Sequence, residues 1–329
     1  MKRALVTGAA GFVGRWMCAA LIRDGWEVTA TAHSGADVDA SKVPGPWGAM
    51  DSVRWFTGDI RDAKHWELLF TETRPDAVIN LAAVSHVQQA DADPTRTWEV
   101  NLLAPVRLLH EAQAQRERGV VDPKILLVGS AEQYGRQPAS EVPFDEATPQ
   151  VPLTVYGATK SAQEMAGMQA FRATGLRVVA ARPFPHSGAG QEPRFVIPAM
   201  VSRAVALRSS GSTGPMMTGN LTPIRDFLHV SDVVAAYIAL LHAGRPGTAY
   251  NVASGTGLSV RDVTERVLAR VGVNAALQED PALVRAVDVP VLVGNATRLS
   301  AETGWKATRS FDDIIDDLLA YHPTHAATH

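Results

Sequence analysis

Cysteine is nearly missing from this chain: Cys18 is the one thiol in 329 residues, which excludes an internal disulfide framework. It lies in an apolar stretch, so it is expected to be buried and inert, as suits a reducing compartment. Long apolar runs are missing as well. A membrane-crossing helix needs about 20 consecutive apolar residues, and the N-terminus reaches Thr7-Gly8 before an apolar signal region develops. The expectation is a cytoplasmic protein with no membrane contact. Neither sign of charge is in excess: 31 basic and 34 acidic residues leave a formal net charge of -3. That excludes bulk attraction to nucleic acid, and any anionic ligand must be held by local cations. Internal repeats and low-complexity linkers are absent. With 46% hydrophobic and 20% charged residues, the chain can bury a large core and is not of disordered type. The tail, 322–329, carries three histidines and is expected to fray rather than to hold a metal.

What is present is alternation. Short β-rich runs at 3–7, 27–32, 53–57, 77–81, 124–129 and 177–182 alternate with segments of helical period at 14–24, 63–73, 94–118 and 154–174. This pattern predicts parallel strands joined by crossover helices. The runs at 77–81, 124–129 and 177–182 are almost continuously apolar, as strands covered on both faces are. After Pro183 the texture turns rich in Pro, Gly and Ser up to Pro223, with a helix near 198–208; 231–242 is helical again and returns to the first lobe. The expected architecture is α/β: a Rossmann-type doubly wound parallel sheet with a smaller, interleaved α/β substrate-binding lobe. Residues 1–182 with about 226–252 form the dinucleotide-binding lobe, and 183–225 with about 253–321 the other.

Between the first strand and first helix, residues 7–14 read Thr-Gly-Ala-Ala-Gly-Phe-Val-Gly. Gly8, Gly11 and Gly14 allow a sharp turn and a close backbone approach to a pyrophosphate, and the helix N-terminus offers unpaired N–H groups. Ala10, Phe12 and Val13 belong to the same surface. A NAD-preferring site usually has an acid at the end of the second strand; this one ends Ala32-His33-Ser34. His33, Ser34 and Arg15 are therefore candidates for a 2′-phosphate, with Arg15 alternatively a solvated helix residue. NADP(H) is slightly favoured and NAD(H) remains open. Asp59 and Ile60 can clamp the adenine, or Asp59 can cap the following helix.

Tyr156 and Lys160 lie four apart, on one face of a helix starting near Thr154. An ammonium beside a phenol favours the phenolate, so this pair can move a proton to or from an alcohol oxygen while a nicotinamide moves hydride. Ser130 ends an apolar strand at the edge where open α/β sheets bind ligands, and can stabilise charge on the reacting oxygen. Glu132, two residues on, is a base, a partner for sugar hydroxyls, or a surface carboxylate.

Assembled, these segments resemble the extended short-chain dehydrogenase/reductase family of nucleotide-sugar enzymes. The matching stretches are the glycine loop, Gly58-Asp-Ile-Arg-Asp62, Asn80-Leu-Ala-Ala-Val-Ser-His-Val87, Gly129-Ser-Ala-Glu-Gln-Tyr-Gly135 and Tyr156-Gly-Ala-Thr-Lys160. The resemblance implies that Leu81, Ala82, Ala83 and Pro183 line the cofactor and that Ser85 and His86 begin the substrate side. Arg182-Pro-Phe, Gly188-Ala-Gly-Gln191, Gly219-Asn-Leu, Arg225-Asp-Phe and Arg285-Ala-Val-Asp-Val-Pro290 are similar to the GDP-mannose branch of that family. There Arg225 and Arg285 would bind the diphosphate, and Asn220 and Leu221 would seat guanine; a structural ion pair is the alternative for either arginine. The branch usually has Asn where this chain has Pro185, which removes an amide and an N–H from the sugar side. The implied activity is NAD(P)H-dependent reduction of a GDP-4-keto-6-deoxy hexose at C4, with 4,6-dehydration, 4-epimerisation and non-catalytic cofactor binding as rivals. The family commonly dimerises through a four-helix bundle, here 94–118 with 154–174.

Overall fold

The computed structural model describes residues 1–41, 45–48, 50–284 and 289–322. The tail beyond His322, and with it two of the three tail histidines, lies outside the described residues, as does Arg285.

The first part of the chain runs β1 (Arg3–Thr7), α1 (Phe12–Arg23), β2 (Glu27–Ala32), α2 (Gly35–Ser41), β3 (Arg54–Thr57), α3 (Ala63–Thr73) and β4 (Ala77–Asn80). It continues with α4 (Val87–Ala92), α5 (Pro94–Trp98), a π-helical turn (Glu99–Leu103), α6 (Ala104–Glu117), β5 (Lys124–Val128), α7 (Val155–Thr174) and β6 (Val178–Pro183). The expected strands are all present with ends within a residue. α2 and α4 were not expected, being short and polar. The remainder comprises β7 (His186–Ser187), α8 (Val196–Ser210), β8 (Met216–Thr218), β9 (Ile224–Asp226), β10 (Leu228–His229), α9 (Val230–Ala243) and β11 (Thr248–Val252). β12 (Gly257–Ser259), α10 (Val260–Val271), β13 (Leu277–Glu279), β14 (Val291–Leu292), α11 (Thr297–Thr303) and α12 (Phe311–Ala320) complete it.

The main sheet has seven parallel strands in the order β11-β6-β5-β4-β1-β2-β3. The chain winds outward from β1 to β3, then crosses back to β4 and winds the other way. The switch between β1 and β4 opens a crevice at their C-terminal ends. One face of the sheet is closed by a core that includes Met17, Leu21, Val233 and Tyr237 from α1 and α9. The other is closed by Trp66, Phe70, Leu108, Ala112 and Ala170 from α3, α6 and α7. A separate core of Ile197, Val201, Val263, Val267, Ile314 and Ile315 binds α8, α10 and α12 into the smaller lobe. The division within 253–321 is less clean than expected: Leu299 on α11 and Trp305 after it bury into the main-sheet core, beside α9 and β11.

The periodic segment 94–118 is one rod with an irregular centre. Pro105 has no N–H to give the carbonyl four residues back, that of Asn101, and the backbone widens there into the π turn. Asn101 leaves the rod's own pattern: its Oδ1 accepts from Val84 N at 2.8 Å, and its Nδ2 donates to Val84 O at 3.1 Å and to Thr159 Oγ1 at 3.0 Å. The loop after β4 is thus tied to α7.

The first turn of α1 meets the loop after β1 at very short range. A Cβ on Gly14 would lie 2.3 Å from Gly8 O, a backbone atom that cannot swing away. A Cβ on Gly11 would meet only that same oxygen, at 3.2 Å. Gly14→Ala is therefore expected to destabilise the protein by about 1–3 kcal/mol and Gly11→Ala by less than about 1 kcal/mol, as read by denaturant unfolding.

Candidate active site

The glycine loop sits in the crevice. Gly8 has φ 64, and a side chain there would collide with Ala82 N at 2.7 Å, so the loop after β1 and the loop after β4 touch backbone to backbone. Thr7 fastens them: its hydroxyl donates to Asn80 Oδ1 at 2.9 Å and accepts from Ala82 N at 3.1 Å. Gly11 is exposed, while Ala10, Phe12 and Val13 are half-buried. Gly11 is also the N-cap of α1 and has no side chain to satisfy the first-turn N–H groups, whereas α3 and α7 are capped by Asp62 and Thr154. Open N–H groups at a helix N-terminus, beside half-exposed Leu81, Ala82 and Ala83, fit a pyrophosphate and its dinucleotide.

The far end of the crevice departs from expectation. Arg15 does not reach the end of β2. Its guanidinium stacks on the Trp47 ring, 4.4 Å from the centroid, and Nη2 donates to Gly190 O at 3.2 Å; burial lowers its pKa. The aromatic face and the open carbonyl explain the capture. Ser34 is engaged too: its N and Oγ donate to Asp37 Oδ2 at 3.0 and 2.7 Å. A carboxylate thus stands close to the strand end after all, three residues beyond Ser34. His33 is exposed. Asp59 is not the helix cap, which is Asp62. The Asp59 carboxylate is bound by Arg61, whose hydrogen bonds hold it down at about 2, and Arg61 also reaches Glu99 at 2.8 Å. Ile60 is half-buried, its carbonyl fixed by Trp66 Nε1 at 2.7 Å.

At the mouth of β5, the Ser130 side chain stands beside the Tyr156 phenol, close enough to favour its ionised form. It is at once the N-cap of a 3-10 turn (Ala131–Gln133), accepting from Glu132 N at 3.2 Å, so the capping alternative and the placement beside Tyr156 both hold. α7 reaches this turn closely: a Cβ on Gly157 would lie 2.6 Å from Glu132 O. Tyr156 differs from expectation in its electrostatics. Burial pushes the phenol up to about 12, the neighbouring Ser130 side chain opposes this, and the charge of half-buried Glu132 adds to it. Lys160 points to the sheet: Nζ donates to Val128 O at 2.7 Å and Gln163 Oε1 at 3.3 Å, and burial brings its pKa down to about 7. The reason is that α7 buries a polar face, Lys160, Gln163 and Glu164, against β5 and β6. Asn101 is the residue here that sequence reasoning missed. Its signal, a proline four residues later in a helix, was present.

On the substrate side, Ser85 is exposed, and His86 meets Phe195 of the smaller lobe edge-on at 5.7 Å. Phe12 of the glycine loop stacks on His186 at 6.4 Å. Pro183 is buried at the end of β6. Asn220 is half-exposed, its Oδ1 held by Thr222 N and Oγ1 at 3.0 and 2.8 Å. Leu221 is 2% exposed, so its side chain is core, and its carbonyl accepts Arg261 N at 3.0 Å. Arg225 is half-buried on β9, and Nη1 donates to Ile224 O at 2.8 Å. Its neighbour Asp226 is fully buried. No helix is long and apolar enough to cross a membrane among the described residues, and no cluster of His, Cys, Asp or Glu suited to a metal occurs among them.

A doubly wound sheet, a glycine loop at its switch point and a serine–tyrosine pair at its mouth define an NAD(P)-dependent oxidoreductase of the extended short-chain dehydrogenase/reductase type, among the nucleotide-sugar enzymes. The chain belongs to the GDP-mannose 4,6 dehydratase family, whose model matches residues 5–318. It is 32% identical over 305 residues to the GDP-6-deoxy-D-mannose reductase of Pseudomonas aeruginosa, covering 93% of this chain and 92% of that one. Among solved structures it is similar to RMD from Pseudomonas aeruginosa complexed with NADPH, with TM-score 0.81, 29% identity and 100% of both chains covered. It is likewise similar to UDP-glucose 4-epimerase of Thermus thermophilus in complex with NAD, with TM-score 0.82, 28% identity and 97% and 98% coverage.

Buried Lys160 carries a pH signature. Its folded value of about 7 lies below the ordinary 10.5, so between these the unfolded chain holds a proton that the folded one lacks. Unfolding free energy is expected to rise with pH across that window. Lys160→Met should flatten the rise, as measured by urea unfolding at a series of pH values.

Proposed function

We propose that this enzyme reduces the C4 keto group of a GDP-4-keto-6-deoxy hexose, as a GDP-4-keto-6-deoxy-D-mannose reductase giving GDP-D-rhamnose or its C4 epimer. The observation that carries the reaction class is the placement of Ser130, at the C-terminal end of β5, beside the Tyr156 phenol of α7, in the sheet whose first strand leads into the glycine loop. The likeness to the Pseudomonas aeruginosa reductase supports the choice of sugar nucleotide.

In this reading Gly8, Gly11 and Gly14 hold the pyrophosphate and Leu81 to Ala83 the nicotinamide half. The bound nicotinamide supplies the hydride. Tyr156 donates the proton to the C4 oxygen; its phenol is protonated at neutral pH, and the burial that raises its pKa makes it a weaker donor than an exposed phenol. Ser130 hydrogen-bonds the same oxygen. Lys160, anchored on Val128 O, supports the ribose side of the site. Arg225 and Arg285 bind the diphosphate, with Asn220 and the Leu221 backbone beside the base. NADP(H) is preferred slightly through His33, and NAD(H) fits the same edge, because Ser34 and Arg15 are engaged elsewhere.

A second reading, 4,6-dehydration, is favoured by one observation: half-buried Glu132 lies near enough to act on the Tyr156 phenol and can take a C5 proton. Incubation with GDP-mannose alone separates the two. The reductase reading expects no 4-keto product, but turnover of GDP-4-keto-6-deoxy-mannose with NADPH or NADH, followed by product NMR. Tyr156→Phe should lower that turnover by about 10²–10⁴-fold while cofactor affinity is retained; unchanged turnover removes Tyr156 from the mechanism.

We also propose a homodimer. Trp98, Leu103 and Val106, near the centre of the α5–α6 rod, and Met165 on α7 are exposed apolar residues on helices that pack side by side. Light scattering should give twice the 35.2 kDa chain mass, and Leu103→Glu should shift it toward one chain.

A further inference from the structure

Behind Ser130 a buried relay of polar groups leads away from the cleft. Ser130 N donates to Gln133 Oε1 at 2.7 Å. Gln133 Nε2 donates to Glu164 Oε2 at 3.0 Å and to Gln150 Oε1 at 3.1 Å. Glu164 accepts from Arg182 at both oxygens, 2.9 Å from Nε and 2.6 Å from Nη2. Gln133 is 0% exposed, Glu164 6% and Arg182 5%. The hydrogen-bonding demands fix the amide's orientation: a backbone N–H needs the oxygen end, and a carboxylate needs the N–H₂ end. Gly129 makes room, since a Cβ there would lie 2.1 Å from Gln133 Oε1.

We propose that Gln133 is a positioning residue for proton transfer. Its amide couples the Arg182–Glu164 pair to the Ser130 backbone and so sets the place of the Ser130 hydroxyl against Tyr156. The proposal rests on the reading of Ser130 and Tyr156 as the proton-transfer centre. Glu164 also belongs to α7 and follows Tyr156 and Lys160 at intervals of four, so one helix face carries both the phenol and the anchor of its partner serine. Ser130 is thereby referenced to the element that bears Tyr156, by a path other than their direct contact. An apolar side chain at 133 would leave Ser130 N and a lobe of the Glu164 carboxylate without partners.

The test is kinetic, on the whole chain with GDP-4-keto-6-deoxy-mannose and NADPH. Gln133→Ala should lower kcat roughly tenfold to hundredfold, with cofactor affinity within about twofold of the parent. A kcat within about twofold of the parent would overturn the proposal. Gln133→Glu guards against a variant that simply fails to fold, because it keeps the shape and changes the hydrogen-bonding. Protonated, the introduced carboxyl can donate to Glu164 as the amide does; ionised, it faces another carboxylate and cannot. Its kcat relative to the parent should therefore recover toward acid pH and fall as pH rises. A pH profile parallel to the parent's, whether at high or low activity, would overturn the proposal, since a merely structural role gives no such slope. Tyr156→Phe run alongside separates the failures: if it turns over normally, the proton-transfer reading fails; if it is inactive and Gln133 variants behave as the parent, only the positioning role fails.

Discussion

The buried ion pair between Arg182 and Glu164 is the constraint on which the arrangement of this molecule turns. Two charges withdrawn from water are a poor source of net stability, because desolvation offsets most of their attraction. What they impose is geometry. Burial alone would lift the Glu164 carboxyl, yet the hydrogen bonds and charge of Arg182 bring it below its ordinary value, so it stays an acceptor. Arg182 donates from Nη1 to Tyr134 Oη at 2.8 Å and to Glu146 O at 3.1 Å, and the Tyr134 hydroxyl donates in turn to Asn251 Oδ1 at 2.6 Å. Strands β6 and β11, helix α7 and the turn after β5 are thus held in one register. A small rotation of α7 would strip partners from a buried charge, at about 3–5 kcal/mol for a broken pair, which is a stiff restoring force on the helix that carries Tyr156.

The smaller lobe uses the same device with different chemistry. Asp226 is also buried, but among the described residues its partners are neutral donors and no arginine. It accepts from Ser254 N at 3.0 Å, Gly255 N at 2.9 Å and Gly294 N at 3.3 Å, and from the Ser254 hydroxyl. Neutral donors do not offset desolvation as a guanidinium does, so its pKa is raised by burial while that of Glu164 is lowered. In both lobes a carboxylate fixes loops that carry neighbouring functional candidates: Ser130 near Glu164, Arg225 beside Asp226.

The parts of this plan legible in sequence are those written as spacing. Strands 3–7 and 27–32 and helix 63–73 could be read to the residue because apolar periodicity and turn residues agree there. The glycine loop could be read because its function needs glycine itself. The buried polar face of α7 could not: Lys160, Gln163 and Glu164 look like solvent-facing residues, and only long-range partners such as Val128 O and Arg182 reveal that they are core. Arg15 failed for a related reason. Its nearness to the glycine loop in sequence suggested phosphate, while Trp47 and Gly190, far off in the chain, claim it in the fold. Asp37 was overlooked because a carboxylate in the first turn of a short helix, five residues past a strand end, has no periodic signature.

At Pro185 the backbone offers a carbonyl and no N–H. Its carbonyl accepts Leu228 N at 2.8 Å, which starts the pairing of β7 with β10 and brings His186 to the inner side of the turn. There His186 stacks on Phe12 of the glycine loop, and burial lowers its pKa, so the neutral ring prevails near neutral pH. Its Nδ1 lies 2.9 Å from Phe184 O. A carbonyl only accepts, so Nδ1 carries the proton and Nε2 is left as an acceptor. An asparagine at 185 would offer both a donor and an acceptor; the Pro185–His186 pair offers an acceptor on a fixed backbone.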